Sequence, residues 1–315
     1  MKFKKEYIVL PVIIVVLLAY IVFQNKNKTN YELPHLRNIE RKDISKIKIK
    51  KGSEVIDVEK KGANWVIMPK EYPADKEKIE NLIDKASKVK LTALASESKK
   101  YEVYKLDEEN RIEVELYQSD KPVRKIFIGK PVSSSRHTFI RLDDDYRVYH
   151  AEGNLRSAFN KDVDDLRNKK IWEINEEITK VTLIKDKKKL ILLKKPTENK
   201  DKKEEKKTKE KEKISYKWQT EDGKDVIEGQ ITEIINMLKD FTCDRFIEDK
   251  KKDEFRNPIY KVILSGANSY SISFFDEKDG QYEAISSQSE YPFLVSEWRA
   301  KRIMKDFDNI LKKKK

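Results

Sequence analysis

The chain has 315 residues, of which 40% are charged and 38% hydrophobic, and 69 Lys and Arg against 56 Asp and Glu give it a formal net charge of +13. This length suits two ordinary domains, and the supply of patterned apolar residues excludes wholesale disorder. Most of the basic residues are Lys, a hydrated point charge, rather than Arg, whose planar fork reads phosphates and base edges. The composition therefore argues against a nucleic-acid-binding protein.

The first segment of the chain has the pattern of a membrane anchor. Three lysines within the first five residues precede an uncharged, largely apolar stretch over residues 7–25. A helix rises about 1.5 Å per residue, so this stretch approaches the roughly 30 Å of a bilayer core. A buried core helix would rarely be apolar all round. The sequence predicts a cytoplasmic tail over residues 1–6, a transmembrane helix over 7–25 that contacts the lipid bilayer, and a tether over 26–42.

A cleaved signal peptide is the main alternative, because it shares the basic start and the apolar run. Cleavage needs small residues at alternate positions, whereas Ala19, the single alanine of the run, has Leu17 two positions before it. We therefore favour the retained anchor. A short tail before the span and a long body after it favour a single-pass protein of the cell membrane with an extracytoplasmic body, although Lys26 and Lys28 after the span oppose this orientation.

The cysteine content agrees with a body that needs no disulfide. Cys243 is the one cysteine of the chain, so no intramolecular disulfide can form and an exported body must be stabilised by its core. Cys243 follows an apolar helix pattern in KDFTCDRF. We expect a small buried residue there rather than a nucleophile.

Beyond the tether, the apolar pattern describes two similar units, over residues 43–175 and 176–315. In the first unit, alternating strand patterns lead into NWVIMPKEYPADKEKIENLI. Here Trp65 lies in a strand, Asp75 opens a helix, and Ile79 begins the apolar face of that helix. Further short strands and a closing helix complete the unit.

The second unit repeats this order at a nearly constant offset. Trp218 takes the place of Trp65, and Ile231 takes the place of Ile79. Such an offset over a Trp, a turn and a helix is what duplication of one unit predicts. We expect each Trp to pack the helix of its unit against the sheet. In the closing helix of the second unit, Trp298 is predicted on the apolar face.

These patterns predict an α+β fold, with an N-terminal transmembrane helix followed by two similar units of mainly antiparallel sheet backed by helices. A run rich in Lys and Glu, over about residues 194–213, lies between two strand patterns of the second unit. It lacks the apolar residues that a core requires, so it predicts a disordered hairpin insertion.

Several segments carry a family resemblance. In order, NWVIMPKEYPADKEKIENLI, YKLDEENRIEVELY, IFIGKPVSSSRHTFIRLDDDYRVYHAEGNL and DLRNKKIW resemble the domain-of-unknown-function 4340 family. The resemblance covers nearly the whole exported body, and YKLDEEN departs from the glycine and leucine usual in the family. The family has no established catalytic residues to carry over. The resemblance implies a protein of the bacterial cell envelope, and some relatives in this family are associated with components of gliding-type ABC transporters.

Candidate chemistry is sparse. The histidines lack paired metal-ligand spacing, so neither a metal site nor a cofactor is predicted: they are His35, His137 and His150. The run SSSRH, at residues 133–137, lacks the glycine elbow that an exposed nucleophilic serine needs, and reads as a polar loop. The run DDD, at 143–145, reads as a turn. The run GKP, at 129–131, lacks the second glycine of a phosphate loop.

The sequence therefore predicts a non-catalytic function. The leading hypothesis is a membrane-anchored extracytoplasmic accessory or binding protein that acts with an envelope or transporter protein. An alternative is a polyanion-binding protein that holds cell-wall or lipid phosphate through the Lys-rich insertion and the C-terminal KKKK. A third hypothesis is an envelope hydrolase that uses Ser135 and His137.

Overall fold

A computed structural model describes four parts of the chain: residues 13–20, 31–133, 136–197 and 215–312. The chain divides into two compact units between Arg167 and Asn168, whereas the apolar pattern predicts a boundary after residue 175. The segment between these points carries a strand, Lys170–Glu173, that pairs with Asp240–Thr242 of the second unit. This pairing assigns the segment to the second unit.

Residues 13–20 form a helix, α1, and all its side chains are exposed. The rest of the predicted span, at 7–12 and 21–25, lies outside the described residues. Within the described ranges, no helix has both the length and the apolar character needed to cross a bilayer.

The first unit is built on a nine-stranded sheet in which every pair of neighbours is antiparallel. Its strands are β1 (Lys46–Lys51), β2 (Glu54–Lys61), β3 (Asn64–Met68), β4 (Tyr72–Pro73), β5 (Leu91–Ser96), β6 (Ile112–Gln118), β7 (Lys121–Pro131), β8 (His137–Leu142) and β9 (Val148–Glu152). Their order across the sheet is β4-β3-β2-β1-β6-β7-β8-β9-β5. Its helices are α2 (Lys76–Ser87), α3 (Leu155–Phe159) and α4 (Val163–Leu166).

Local sequence explains these elements. In β1, Ile47 and Ile49 are buried while the intervening lysines are partly exposed, which is the alternation of a strand with one face on a core. Asp75 begins α2 because its carboxylate accepts a hydrogen bond from the Lys78 backbone N–H, at 3.2 Å. Ile79 lies on the buried side of the helix.

The second unit contains an eight-stranded antiparallel sheet and a separate two-stranded sheet. Its strands are β10 (Lys170–Glu173), β11 (Lys180–Lys185), β12 (Lys188–Thr197), β13 (Ser215–Thr220), β14 (Asp240–Thr242), β15 (Arg245–Phe246), β16 (Tyr260–Ser265), β17 (Ser269–Lys278), β18 (Gln281–Ser286) and β19 (Phe293–Ser296). The larger sheet has the order β13-β12-β11-β16-β17-β18-β19-β15, and β10 pairs with β14. Its helices are α5 (Glu228–Lys239), α6 (Glu297–Ile303) and α7 (Phe307–Ile310).

Together the two sheets confirm the prediction of an α+β protein made mainly of antiparallel sheet. The order β3-β2-β1-β6-β7-β8-β9-β5 of the first sheet corresponds, strand by strand, to the order of the eight-stranded sheet. In the chain, α2 comes after β3, which holds Trp65, with the short strand β4 between them, and α5 is the next element after β13, which holds Trp218. Ile79 and Ile231 are fully buried at the fourth position of their helices.

The starts of these two helices differ. Asp75 caps α2, whereas Ile227, before α5, provides no side-chain hydrogen bond. The Ile227 backbone N–H instead donates to the Ile310 carbonyl oxygen, at 2.7 Å. Backbone pairing with α7 therefore fixes the start of α5.

The first residues of the predicted insertion, 194–197, belong to a strand instead. β12 continues to Thr197, and Lys194 lies opposite Trp218 of β13. The remainder of the predicted insertion, residues 198–213, is not among the described residues.

Candidate functional site

Two histidines meet on one face of the first sheet. In the antiparallel pair β8–β9, His137 lies opposite Glu152, and Phe139 lies opposite His150. Alternation along each strand puts all four side chains on the same face. The centroids of the two imidazole rings are 6.3 Å apart. Sequence spacing missed this pair because the two histidines belong to different strands.

The surroundings of the pair are partly apolar. Both imidazoles are half-buried, and the Phe139 ring packs edge-on against His150 with a centroid distance of 4.9 Å. Burial, followed by the charge of His137, lowers the pKa of His150. The Glu152 carboxylate forms an ion pair with Lys90 at 2.9 Å.

The described part of the loop before β8 provides no arrangement of side chains that supports the hydrolase hypothesis. Ser134 and Ser135 lie outside the described residues, and Ser133 is exposed. Among the side chains that the structure describes, no three His, Cys, Asp or Glu form a group that could hold a metal ion. Cys243 is buried in the core of the second unit, as predicted.

The acidic run at 143–145 lies in the turn between β8 and β9, and its last carboxylate is engaged internally. Asp145 accepts hydrogen bonds from the Arg147 guanidinium at 2.8 to 3.1 Å and from the Tyr149 hydroxyl at 2.5 Å. Burial would raise the pKa of Asp145, but these hydrogen bonds outweigh it and lower the pKa to about 2. Asp145 therefore organises the turn.

The exposed face of α5 is the second candidate site. Gly229, Thr232 and Asn236 are exposed along this helix, at the spacing that places residues on one helical face. Hollows flank them on both sides. One, of about 250 Å³, is lined by residues that include Trp218. The other, of about 580 Å³, is lined by residues that include Trp298.

This face of α5 differs in charge from the matching face of α2. The helices have twelve residues each and share a register, because Ile79 and Ile231 occupy the same position. In this register five charged residues of α2 correspond to uncharged residues of α5: Glu77 to Gly229, Lys78 to Gln230, Glu80 to Thr232, Asp84 to Asn236, and Lys85 to Met237. These five positions of α5 are therefore uncharged, in a protein that is 40% charged.

On α2, two of those charged residues, Glu80 and Asp84, make ion pairs. Arg41 contacts Glu80 at 3.5 Å and Asp84 at 3.2 Å, and Lys88 contacts Asp84 at 3.0 Å. These groups form an ordinary solvated helix surface.

At the edge of the α5 face, the charge of Glu233 is neutralised by neighbouring basic side chains. Glu233 pairs with Arg302 and with Lys305, each at 2.7 Å, and hydrogen bonds from Lys305 and then Arg302 lower the pKa of Glu233. Trp298 stands beside this network and is 60% exposed. The prediction that Trp298 lies on the apolar face of its helix is wrong, because Ala300 and Ile303 supply the buried side of α6.

The two tryptophans at the predicted repeat positions, Trp65 and Trp218, are both buried. Trp65 is buried, and its carbonyl oxygen accepts a hydrogen bond from the Ala74 N–H at 2.9 Å. Trp218 is buried in the core cluster of its unit, and its backbone N–H donates to the Glu228 carboxylate at 3.2 Å. Trp218 also lines the smaller hollow.

Comparison with known proteins gave one match. Residues 65–258 match a family described as a domain of unknown function, DUF4340. No curated protein matches the chain, and no solved structure matches it. The matched segment covers more than half of the chain and includes α2 and α5, whereas Trp298 lies beyond it.

Proposed function

The chain belongs to the DUF4340 family of unknown function, and from this premise we propose that it is a membrane-anchored accessory protein whose extracytoplasmic body binds a neighbouring envelope protein. One observation carries the proposal: Trp298 is 60% exposed beside the uncharged face of α5. The other tryptophans, Trp65, Trp172 and Trp218, are buried. Exposed Trp residues are strongly enriched among the residues that dominate binding at protein interfaces.

We call the residues Gly229, Thr232, Asn236, Met237 and Trp298 the docking surface. Its small side chains let the backbone of a partner approach closely, and its hollows accept apolar side chains from the partner. Glu233 beside this surface is already paired with Arg302 and Lys305, so binding there does not bury the Glu233 carboxylate without a partner. These properties suit a protein partner better than a phosphate polymer, which needs unpaired cations.

The anchor supports the same proposal. The apolar side chains of α1 are exposed, and a helix that is apolar all round suits a lipid environment. Anchoring confines both proteins to one membrane and raises their effective concentration, so a weak interface suffices. The partner we propose is a membrane protein of the envelope, with transporter components as the first candidates.

We also infer that the two units descend from one duplicated unit. The corresponding strand orders and the shared register of α2 and α5 support this inference. Duplication would leave one helix face free to lose its charges while the other kept them. In this account, the docking surface arose in the second unit after the duplication and has no counterpart in the first unit.

A photo-crosslinking experiment on the full chain in native membranes tests the proposed function. A crosslinking amino acid at Thr232 should capture a membrane protein, whereas the same amino acid at Glu80, the matched position of α2, should not. The double substitution Thr232→Glu and Asn236→Asp restores the residues of α2, and the Trp298→Ala substitution removes the aromatic anchor. Both variants should lose the crosslink from a probe at Met237. Equal capture from Thr232 and Glu80, or capture that survives both variants, would refute the docking surface.

The orientation has its own test. Protease added to intact spheroplasts should degrade the body, because the proposed topology places it outside the cytoplasm. The membrane fraction should retain the chain after a salt wash. Protection of the body until lysis would contradict the topology.

A further inference from the structure

The histidine pair of the first unit carries an inference that is independent of docking. We propose that His137 and His150 together bind one divalent transition-metal ion, of the Cu²⁺, Ni²⁺ or Zn²⁺ class, at an open site on the face of the first sheet. The site would use two protein nitrogens and leave the other coordination positions to water or to an outside ligand.

The geometry of the pair is close to what a shared ion requires. The two rings occupy one face of paired strands, with centroids 6.3 Å apart and planes inclined by 40°. Metal–nitrogen bonds of about 2 Å put the centroids of two rings sharing an ion roughly 5 to 6 Å apart. A small rotation about the side-chain torsions therefore brings both rings to one ion. The rings are only half-buried, so solvent and ions can reach them.

The donor set selects the class of ion. Imidazole nitrogen suits Cu²⁺, Ni²⁺ and Zn²⁺, whereas Mg²⁺ and Ca²⁺ require several oxygen ligands. A carboxylate on the same face, Glu152, lies opposite His137 but forms an ion pair with Lys90 at 2.9 Å. In the part of the chain that the structure describes, no third protein ligand joins the group. The site is consequently of moderate affinity and has room for a ligand from another molecule.

Histidine is rare in this chain, so two histidines on one face of a sheet stand out. The chain contains three histidines, and the fold brings two of them together from separate strands. The third, His35, lines a hollow with Arg37 and Arg124, and therefore serves as a matched control for histidine substitution.

Metal titration of the full chain in detergent, purified without a histidine tag, tests the site. Calorimetry with Zn²⁺ and Ni²⁺ should give one ion per chain, and electron paramagnetic resonance of bound Cu²⁺ should show two coordinated imidazole nitrogens. The substitutions His137→Gln and His150→Gln should each weaken binding by at least about tenfold, because losing even an outer-shell partner of a metal ligand typically costs about 10- to 100-fold. His35→Gln should leave binding unchanged. Equal affinity of all three variants, or loss of binding only in His35→Gln, would overturn the proposal.

Two further measurements keep the test decisive if a variant folds poorly. In the unsubstituted chain, Zn²⁺ should protect His137 and His150, but not His35, from diethyl pyrocarbonate. The substitution Lys90→Met removes a nearby positive charge and releases Glu152, so it should tighten Zn²⁺ binding severalfold. Unchanged modification rates at His137 and His150, or an unchanged affinity in Lys90→Met, would count against the site.

Discussion

A Cβ atom placed on Gly129 would lie 2.3 Å from the Tyr104 carbonyl oxygen and 2.9 Å from the Leu106 Cγ atom. Gly129 belongs to β7, and Tyr104 ends the 3-10 turn Tyr101–Tyr104. The turn therefore packs directly on the backbone of the strand. This contact explains the glycine of GKP, which is a packing position inside a strand rather than part of a loop.

Substitution of Gly129 by Ala should destabilise the first unit by about 1 to 3 kcal/mol, because the methyl group must displace backbone. Gly229→Ala is the matched control, since nothing lies within 4 Å of its added Cβ and a helical Ala gains up to about 1 kcal/mol over Gly. Hydrogen exchange of peptides from each unit, measured in increasing urea, reports the two free energies of unfolding. Equal stability of Gly129→Ala and the parent chain would show that the turn does not pack on β7.

The turn of the β11–β12 hairpin holds two non-glycine residues in the left-handed conformation, which glycine adopts at lower cost. Asp186 and Lys187 both have positive φ, at 46° and 66°, as a two-residue turn of this type requires. A left-handed conformation costs an L-residue about 1 to 2 kcal/mol, whereas the extra freedom of Gly in the unfolded chain costs about 0.5 to 1 kcal/mol.

Lys187→Gly should consequently stabilise the second unit by about 0.5 to 1 kcal/mol. Lys188→Gly, one residue later in β12, should destabilise it by a similar amount because Gly weakens a strand. Urea denaturation followed by exchange of peptides from the second unit measures both changes. A loss of stability in Lys187→Gly would contradict the turn geometry.

The Asp145 carboxylate should make stability depend on acid pH. Its hydrogen bonds to Arg147 and Tyr149 lower its pKa to about 2, so the ionised form is favoured in the folded state. The stabilisation is then fully present above about pH 4 and is lost as the pH falls towards 2.

Asp145→Asn should destabilise the first unit by about 1 to 2 kcal/mol at pH 7. The difference from the parent chain should shrink as the pH is lowered from about 4 to 2. Asp144→Asn provides the control, because Asp144 is exposed in the same turn. Unfolding curves recorded between pH 2 and pH 7 make the comparison. A difference that stays constant over this range would rule out an ionised Asp145 as the cause.

The buried tryptophans should each stabilise the unit that contains them. Trp65→Ala and Trp218→Ala should each cost about 3 to 5 kcal/mol, the usual range for deleting a buried aromatic side chain. Trp298→Ala should change stability by less than about 0.5 kcal/mol, because its ring is 60% exposed. Exchange rates in the unit without the substitution provide the internal reference. A large destabilisation by Trp298→Ala would instead assign that ring to the core.

The sequence determined the features of this protein that depend on neighbours along the chain. Ile47 and Ile49 alternate with lysines, so a strand with one buried face follows from period two. Asp75 and Ile79 fixed the start and the buried side of α2, because a cap and an apolar repeat act within one or two turns. The shared register of Ile79 and Ile231 could be predicted for the same reason. The family resemblance could also be recognised from the sequence, because it rests on contiguous segments of the chain.

Tertiary structure decided whatever depends on strand pairing and on which side of an element is covered. His137 and His150 meet because β8 pairs with β9 in one particular register, and register is a property of the pair of strands rather than of either sequence. Trp298 is exposed because Ala300 and Ile303 already fill the buried side of α6. A hydrophobic residue on a short helix satisfies an apolar pattern equally well on either side, and only packing against the rest of the unit distinguishes the two.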